Sequence, residues 1–112
     1  MIHAGANAED AALAFLRGQG LRLLARNYRC RFGEIDLIMN EGNTLVFVEV
    51  RMRKNAGFGS AAESITARKQ KRIIAAARHY LAQVQAVPNC RFDAILLCAN
   101  DPVEWIRDAF GE

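Results

Sequence analysis

Two carboxylates set among apolar strand residues are the groups in this sequence that best suit chemistry. Asp36 and Glu49 lie in two runs of strand-forming residues separated by a Gly/Asn turn. This pattern predicts a β-hairpin that brings the two carboxylates together across neighbouring strands. An unpaired buried charge costs several kcal/mol, so both groups need partners. A divalent cation held between them is one answer. An ion pair with Arg51 or Arg53 is the other.

The elements that must position these acids follow from local periodicity. Helical spacing predicts a helix over residues 8–16, capped by Asn7, and a second over residues 66–85, capped by Thr66. Strand patterns cover residues 20–30, 33–38, 45–51 and 91–99, with a short edge strand over 103–106. Short connections make the first three strands antiparallel, whereas the helical link from the third to the fourth predicts a right-handed parallel crossover. We therefore expect one α/β domain over residues 1–112 in the order α-β-β-β-α-β-β.

Two further acids have structural alternatives. Glu9 lies in the first turn of the predicted first helix, where a negative charge suits the helix dipole. If that end of the helix faces the hairpin, Glu9 becomes a third carboxylate of the site. Asp93 also enters an apolar strand, and we expect it to pair with an arginine.

Basic side chains are concentrated in two parts of the chain. Residues 51–78 hold eight basic side chains and one acid, and residues 17–31 hold five arginines and no acid, although the net charge is only +3. Segregated positive charge favours a polyanionic partner, an ordinary solvated surface being the alternative. The candidates for phosphate contacts are Arg53, Lys54, Arg68, Lys69, Lys71 and Arg72.

The last four of these cations lie at the start of the predicted second helix. A positive charge at a helix N-terminus interacts unfavourably with the helix dipole, and each exposed cation there costs about 0.3–1 kcal/mol. A tolerated surface cost would explain them, but so would phosphates, which favour helix N-termini. A protein-interaction domain without a nucleic-acid role leaves them unexplained.

Composition limits the location of the protein. No apolar run has the ~18–20 residues that a membrane-spanning helix requires. The three cysteines lack CxxC spacing, which indicates a reducing compartment rather than a disulfide framework or a zinc ribbon. We therefore expect a cytoplasmic protein that does not enter the membrane.

Taken together, these residues resemble the PD-(D/E)xK nuclease superfamily, in which one strand carries an acid and the next carries E-x-K. More closely, the chain resembles the YraN family of small bacterial proteins. The matching stretches span nearly the whole chain: Ala8-Glu9, Arg26-Asn27-Tyr28-Arg29, Gly33-Glu34-Ile35-Asp36-Leu37-Ile38, Val46-Phe47-Val48-Glu49-Val50-Arg51, Phe58-Gly59, Lys69, and Arg91-Phe92-Asp93.

The resemblance implies a restriction-endonuclease-like core, a mixed sheet of four to five strands flanked by two helices, similar to archaeal Holliday junction resolvases. It implies Asp36 and Glu49 as ligands of Mg²⁺ or Mn²⁺, with the Val50 carbonyl completing the shell and Glu9 as a further acid. The activity implied is metal-dependent hydrolysis of DNA, including branched or damaged DNA. A homodimer would suit a junction-cutting enzyme.

One residue departs from the pattern. Arg51 stands where the family has lysine. Arginine can stabilise charge on a phosphate but cannot readily lose a proton. Lys54 or Lys69 could take the place of that lysine in space. The alternative function is therefore a non-catalytic nucleic-acid-binding or adaptor module on the same fold.

Overall fold

The structure is a computed structural model that describes residues 4–53, 65–84, 89–98 and 101–111. In the first of these ranges, side chains are described for residues 8–52. The element order predicted from the sequence is confirmed. The elements are α1 (Ala4–Gly18), β1 (Arg22–Cys30), β2 (Gly33–Glu41), β3 (Thr44–Arg53), α2 (Ala67–Leu81), β4 (Asn89–Cys98) and β5 (Glu104–Phe110).

The strands form one mixed sheet in the order β1-β2-β3-β4-β5. β3 and β4 are parallel, and the other neighbouring pairs are antiparallel, as predicted. The hairpin between β2 and β3 turns through Gly42 and Asn43, with Glu41 paired to Thr44. A φ of 60° at Gly42 is open to glycine because it has no side chain, which explains the residue at this tight turn.

Each face of the sheet is covered by one helix. α1 packs with Leu37, Met39, Val46, Val48 and Ile95 on one face. On the other face, α2 packs with Ile35, Ile38, Leu45, Phe47, Phe92 and Ala94. Alternation along β3, and along β2 from residue 37 onward, supplies both cores, because successive side chains point to opposite faces. Ile35 lies in the α2 core although Leu37 lies in the α1 core, so the alternation is interrupted at Asp36. The catalytic candidates on β2 and β3 are thereby held on a rigid two-sided sheet.

A close contact fixes α2 against the β1–β2 turn. A Cβ atom placed on Gly33 would lie 2.8 Å from the backbone oxygen of Arg72. Only glycine allows this approach without a shift of the backbone. The start of α2, with its cations, is therefore held beside β2.

The element boundaries differ from the prediction in a few places. α1 begins at Ala4, so Asn7 lies inside the helix and the predicted cap is wrong. Alanines at the chain start favour continued helix over a cap at Asn7. β5 runs to Phe110 rather than 106, because it stays paired with β4 up to Phe92.

The second helix ends at Leu81, with Ala82 as its C-cap, and its predicted end at residue 85 lies outside the described ranges, as does residue 99 of β4. The Thr66 cap is confirmed, since its side-chain oxygen accepts the Lys69 N–H at 3.2 Å. Within the described ranges, neither helix has the length and apolar character needed to span a bilayer.

Candidate functional site

Asp36 lies where β2 and β3 part. The register of the two strands runs from Glu41 opposite Thr44 to Leu37 opposite Val48. At the next position, Asp36 Oδ2 accepts a hydrogen bond from the Val50 N–H at 2.8 Å. A side-chain oxygen thus binds an amide that a strand carbonyl would otherwise bind. This bond ties the Asp36 carboxylate to the segment that carries Glu49.

Glu49 is buried on the α2 face of β3. Leu45 and Phe47, at alternate positions before it, both pack under α2, and Glu49 is only 3% exposed. Lys69 on α2 places its Nζ 2.8 Å from Glu49 Oε2, and an Arg51 guanidinium nitrogen lies 3.9 Å from the same oxygen. The expected ion pair with Arg51 is therefore present, but Lys69 makes the closer contact.

The contact with Lys69 leaves Glu49 Oε2 without a directed partner. This buried oxygen accepts no hydrogen bond of acceptable geometry from the described residues, so its 2.8 Å contact with Lys69 is a charge contact only. Buried carboxylate oxygens normally accept hydrogen bonds or coordinate metals. A metal ion at Glu49 Oε2 would share this oxygen with the Lys69 ammonium or displace it.

The two carboxylates influence each other. Burial, and then the Glu49 charge, raise the pKa of Asp36 from 3.8 to about 7. The Val50 N–H and the Lys69 charge lower the pKa of Asp36, but by less. Asp36 is therefore partly protonated near neutral pH. A metal ion that binds the pair would displace this proton.

The donor set fits a hard divalent cation. Mg²⁺ is usually bound by one or two carboxylates with several waters, which matches Asp36 and Glu49. The Val50 carbonyl belongs to the same stretch of β3 and is the predicted third oxygen ligand. Among the described residues, no group of three or more His, Cys, Asp or Glu side chains is arranged to hold a metal, so the protein would supply two carboxylates.

Glu9 is held on the other side of the sheet. Its Oε1 lies 3.7 Å from an Arg26 guanidinium nitrogen, which also contacts Asp10 at 2.7 Å. Arg26 is registered opposite Leu37, a residue of the α1 core, so this ion pair lies on the α1 face. The role of Glu9 as a further acid stays a prediction.

Several predicted phosphate-binding cations meet at one cavity. It has a volume of about 520 Å³ and lies between the β1–β2 turn and the start of α2. Arg68, Lys69 and Arg72 line it from α2, and Arg29 lines it from β1. Lys71 is exposed and does not line the cavity. The side chain of Arg53 and the whole of Lys54 lie outside the described residues.

Arg29 is absent from the candidates that the sequence supplied. The signal was the acid-free run of arginines over residues 17–31. The run does not show which arginine faces α2, because that depends on the pairing of β1 with β2.

Asp93 has the structural role that was predicted. It is fully buried and accepts two hydrogen bonds from the Arg91 guanidinium, one from the Trp105 indole and one from the Asp108 N–H, at 2.8–2.9 Å. The hydrogen bonds from Arg91 to Asp93, with a further bond to Glu41, raise the pKa of Arg91. This cluster joins β4 to β5, and it shares no residue with the Asp36–Glu49 pair.

A five-stranded mixed sheet with a helix on each face makes this a mixed α/β protein, and its two candidate acids lie where β2 and β3 separate. The chain belongs to the uncharacterised protein family UPF0102, the YraN family, whose profile matches residues 8–97. A UPF0102 protein of Nitrosospira multiformis is 60% identical over 95% of this chain and 91% of its own length. Another, from Methylobacillus flagellatus, is 55% identical over 99% of both chains.

Proposed function

We propose that this protein is a metal-dependent nuclease that hydrolyses phosphodiester bonds in DNA at the Asp36–Glu49 pair. The observation that carries the proposal is the buried Glu49 oxygen without a hydrogen bond, beside a carboxyl whose pKa is raised to about 7. This arrangement is costly for a protein that uses the two acids only for stability.

Mg²⁺ or Mn²⁺ would be held by Asp36, Glu49 and the Val50 carbonyl. When bound, the cation supplies Lewis-acid polarisation of the scissile phosphodiester and lowers the pKa of water. The hydrogen bond from the Val50 N–H orients Asp36 before the cation arrives. Preorganisation of this kind removes a reorganisation step from the reaction.

Two cations of the protein border the pair and have different chemistry. Lys69 has a compact ammonium group that contacts Glu49, so it is the group that can take the place of the family's lysine. The planar Arg51 guanidinium would stabilise negative charge that develops on the phosphate. The other cations of α2 would hold flanking phosphates, which fix the register of the strand.

The test is cleavage of duplex, single-stranded and four-way-junction DNA with Mn²⁺. Asp36→Asn and Glu49→Gln should each abolish cleavage, whereas Asp101→Asn, which removes an exposed carboxylate beyond β4, should not. Lys69→Gln should lower the rate more than Arg51→Lys. Cleavage that persists in both Asp36→Asn and Glu49→Gln excludes this site.

A second candidate is a nucleic-acid-binding module without catalysis, favoured by Arg51 at the lysine position of the motif. It predicts affinity for DNA or RNA that falls steeply with salt and no cleavage with any divalent metal. If Arg51→Lys gains cleavage that the wild type lacks, the scaffold is competent and the arginine explains its inactivity.

Partner copies and location complete the proposal. A homodimer would present two sites and make the paired cuts that a four-way junction requires. Sedimentation of the protein with and without junction DNA would measure its oligomeric state. No disulfide joins Cys30, Cys90 and Cys98, which is consistent with the reducing, cytoplasmic location that we propose.

A further inference from the structure

The cavity beside the carboxylate pair has the size of a small-ligand site. Its volume of about 520 Å³ falls within the ~300–1,000 Å³ typical of pockets that hold small molecules. A volume of this size can hold a phosphate group together with part of the nucleotide that carries it.

The charges that line the cavity are only partly neutralised. Arg29 pairs with Glu34 at 3.1 Å, and Lys69 pairs with Glu49 at 2.8 Å. The two other lining cations, Arg68 and Arg72, form no ion pair with any described carboxylate.

The cationic lining matches a phosphomonoester. A terminal phosphate carries a charge of about −1.5 to −2 near pH 7, whereas each internal phosphodiester carries only one negative charge. Two guanidinium groups that have no carboxylate partner among the described residues balance the terminal group and can each form paired hydrogen bonds with its oxygens. Arg68 and Arg72 lie four residues apart on α2, so they are neighbours on one side of the helix.

We propose that this cavity is a subsite for the terminal phosphate of a nucleic-acid strand. The inference rests on the proposed nucleic-acid role of the neighbouring site, but not on its catalytic activity. Lys69 lines the cavity and also contacts Glu49, so one side chain separates the two sites. A strand whose end lies in the cavity would present a nearby phosphodiester to Asp36 and Glu49.

The test measures binding without metal, in EDTA, so that it does not depend on cleavage. Fluorescence anisotropy compares one short single-stranded oligonucleotide with a 5′-phosphate, a 3′-phosphate or hydroxyl groups at both ends. We expect one phosphorylated form to bind the wild type about ten-fold more tightly than the hydroxyl form. This ratio corresponds to about 1.4 kcal/mol of binding free energy. Equal affinities for all three forms would overturn the proposal.

Matched variants show which side chains cause the preference for the phosphorylated oligonucleotide. Arg68→Gln and Arg72→Gln should each reduce it to about two-fold or less, since each removes a paired charge-assisted contact. Lys71→Gln removes the same charge from the same helix turn outside the cavity, and should weaken all three forms alike. A preference that survives both arginine variants, or that Lys71→Gln also removes, places the phosphate elsewhere.

Competition separates a strand end from a free nucleotide. Unlabelled phosphorylated oligonucleotide should displace the probe at a lower concentration than the matching nucleoside monophosphate, because neighbouring nucleotides add contacts with the basic surface. If the free nucleotide competes better, the cavity is a nucleotide site rather than a strand-end site. All three helix positions are exposed, so a thermal melt that matches the wild type confirms that each variant folds.

Discussion

Replacing Asp36 by asparagine should stabilise the metal-free protein while it removes the proposed activity. The asparagine side chain would be neutral at every pH, and its amide oxygen can accept the Val50 N–H that Asp36 accepts now. Its amide hydrogens can donate to Glu49. The variant therefore keeps the local geometry and removes the repulsion between two carboxylates, which only a bound cation would offset in the wild type.

The magnitude follows from the pKa of Asp36. In the folded protein this pKa is raised from 3.8 to about 7, chiefly by burial and the Glu49 charge. Between these two pH values the folded state keeps a proton that the unfolded chain has lost, so stability falls as pH rises from about 4 to about 7. At about 1.36 kcal/mol per pH unit, the loss approaches about 4 kcal/mol and is complete at pH 8.

Urea unfolding of wild type and Asp36→Asn from pH 4 to pH 8 measures this loss, because groups that do not interact with Asp36 titrate alike in both proteins. We expect the variant to be more stable by about 2–4 kcal/mol at pH 8 and by almost nothing at pH 4. Asp101→Asn, which removes an exposed carboxylate far along the chain, serves as the control for the loss of a negative charge. A difference for Asp36→Asn that is absent at pH 8, or equal at both ends, refutes the proposed interaction of the carboxylates.

Three other perturbations test separate parts of the structure. At pH 8, Mn²⁺ at one hundred times its Kd should stabilise the wild type by about 2.7 kcal/mol and leave Asp36→Asn unchanged, as thermal unfolding with and without EDTA would show. Asp93→Ala should destabilise the protein by about 3–5 kcal/mol in urea unfolding, because the Arg91 guanidinium keeps only Glu41 as a carboxylate partner and the Trp105 indole loses its acceptor; a loss below about 1 kcal/mol would contradict this. Gly33→Ala should cost about 1–3 kcal/mol since its Cβ would meet the backbone of α2, whereas Gly18→Ala, with nothing within 4 Å, should not destabilise.

Most of the fold could be predicted from local patterns. The order of helices and strands, the hairpin and the parallel pairing of β3 with β4 follow from periodicity, turn residues and connection length. An acid within an apolar strand singled out Asp36 and Glu49 as candidates, but Asp93 meets the same criterion and has a structural role, so local pattern does not separate the two cases. The misplaced start of α1 shows the limit of capping signals: alanine propensity extended the helix past Asn7.

Tertiary structure decided which groups meet these acids. Arg51, two residues from Glu49, was the partner visible in the sequence, yet Lys69 on α2 makes the closer contact. The raised pKa of Asp36 depends on burial and on a neighbour in another strand. Arg29 joins the cavity only because β1 pairs with β2. Sequence patterns encode the conformation of neighbouring residues, whereas distances between elements are fixed by how their apolar faces pack.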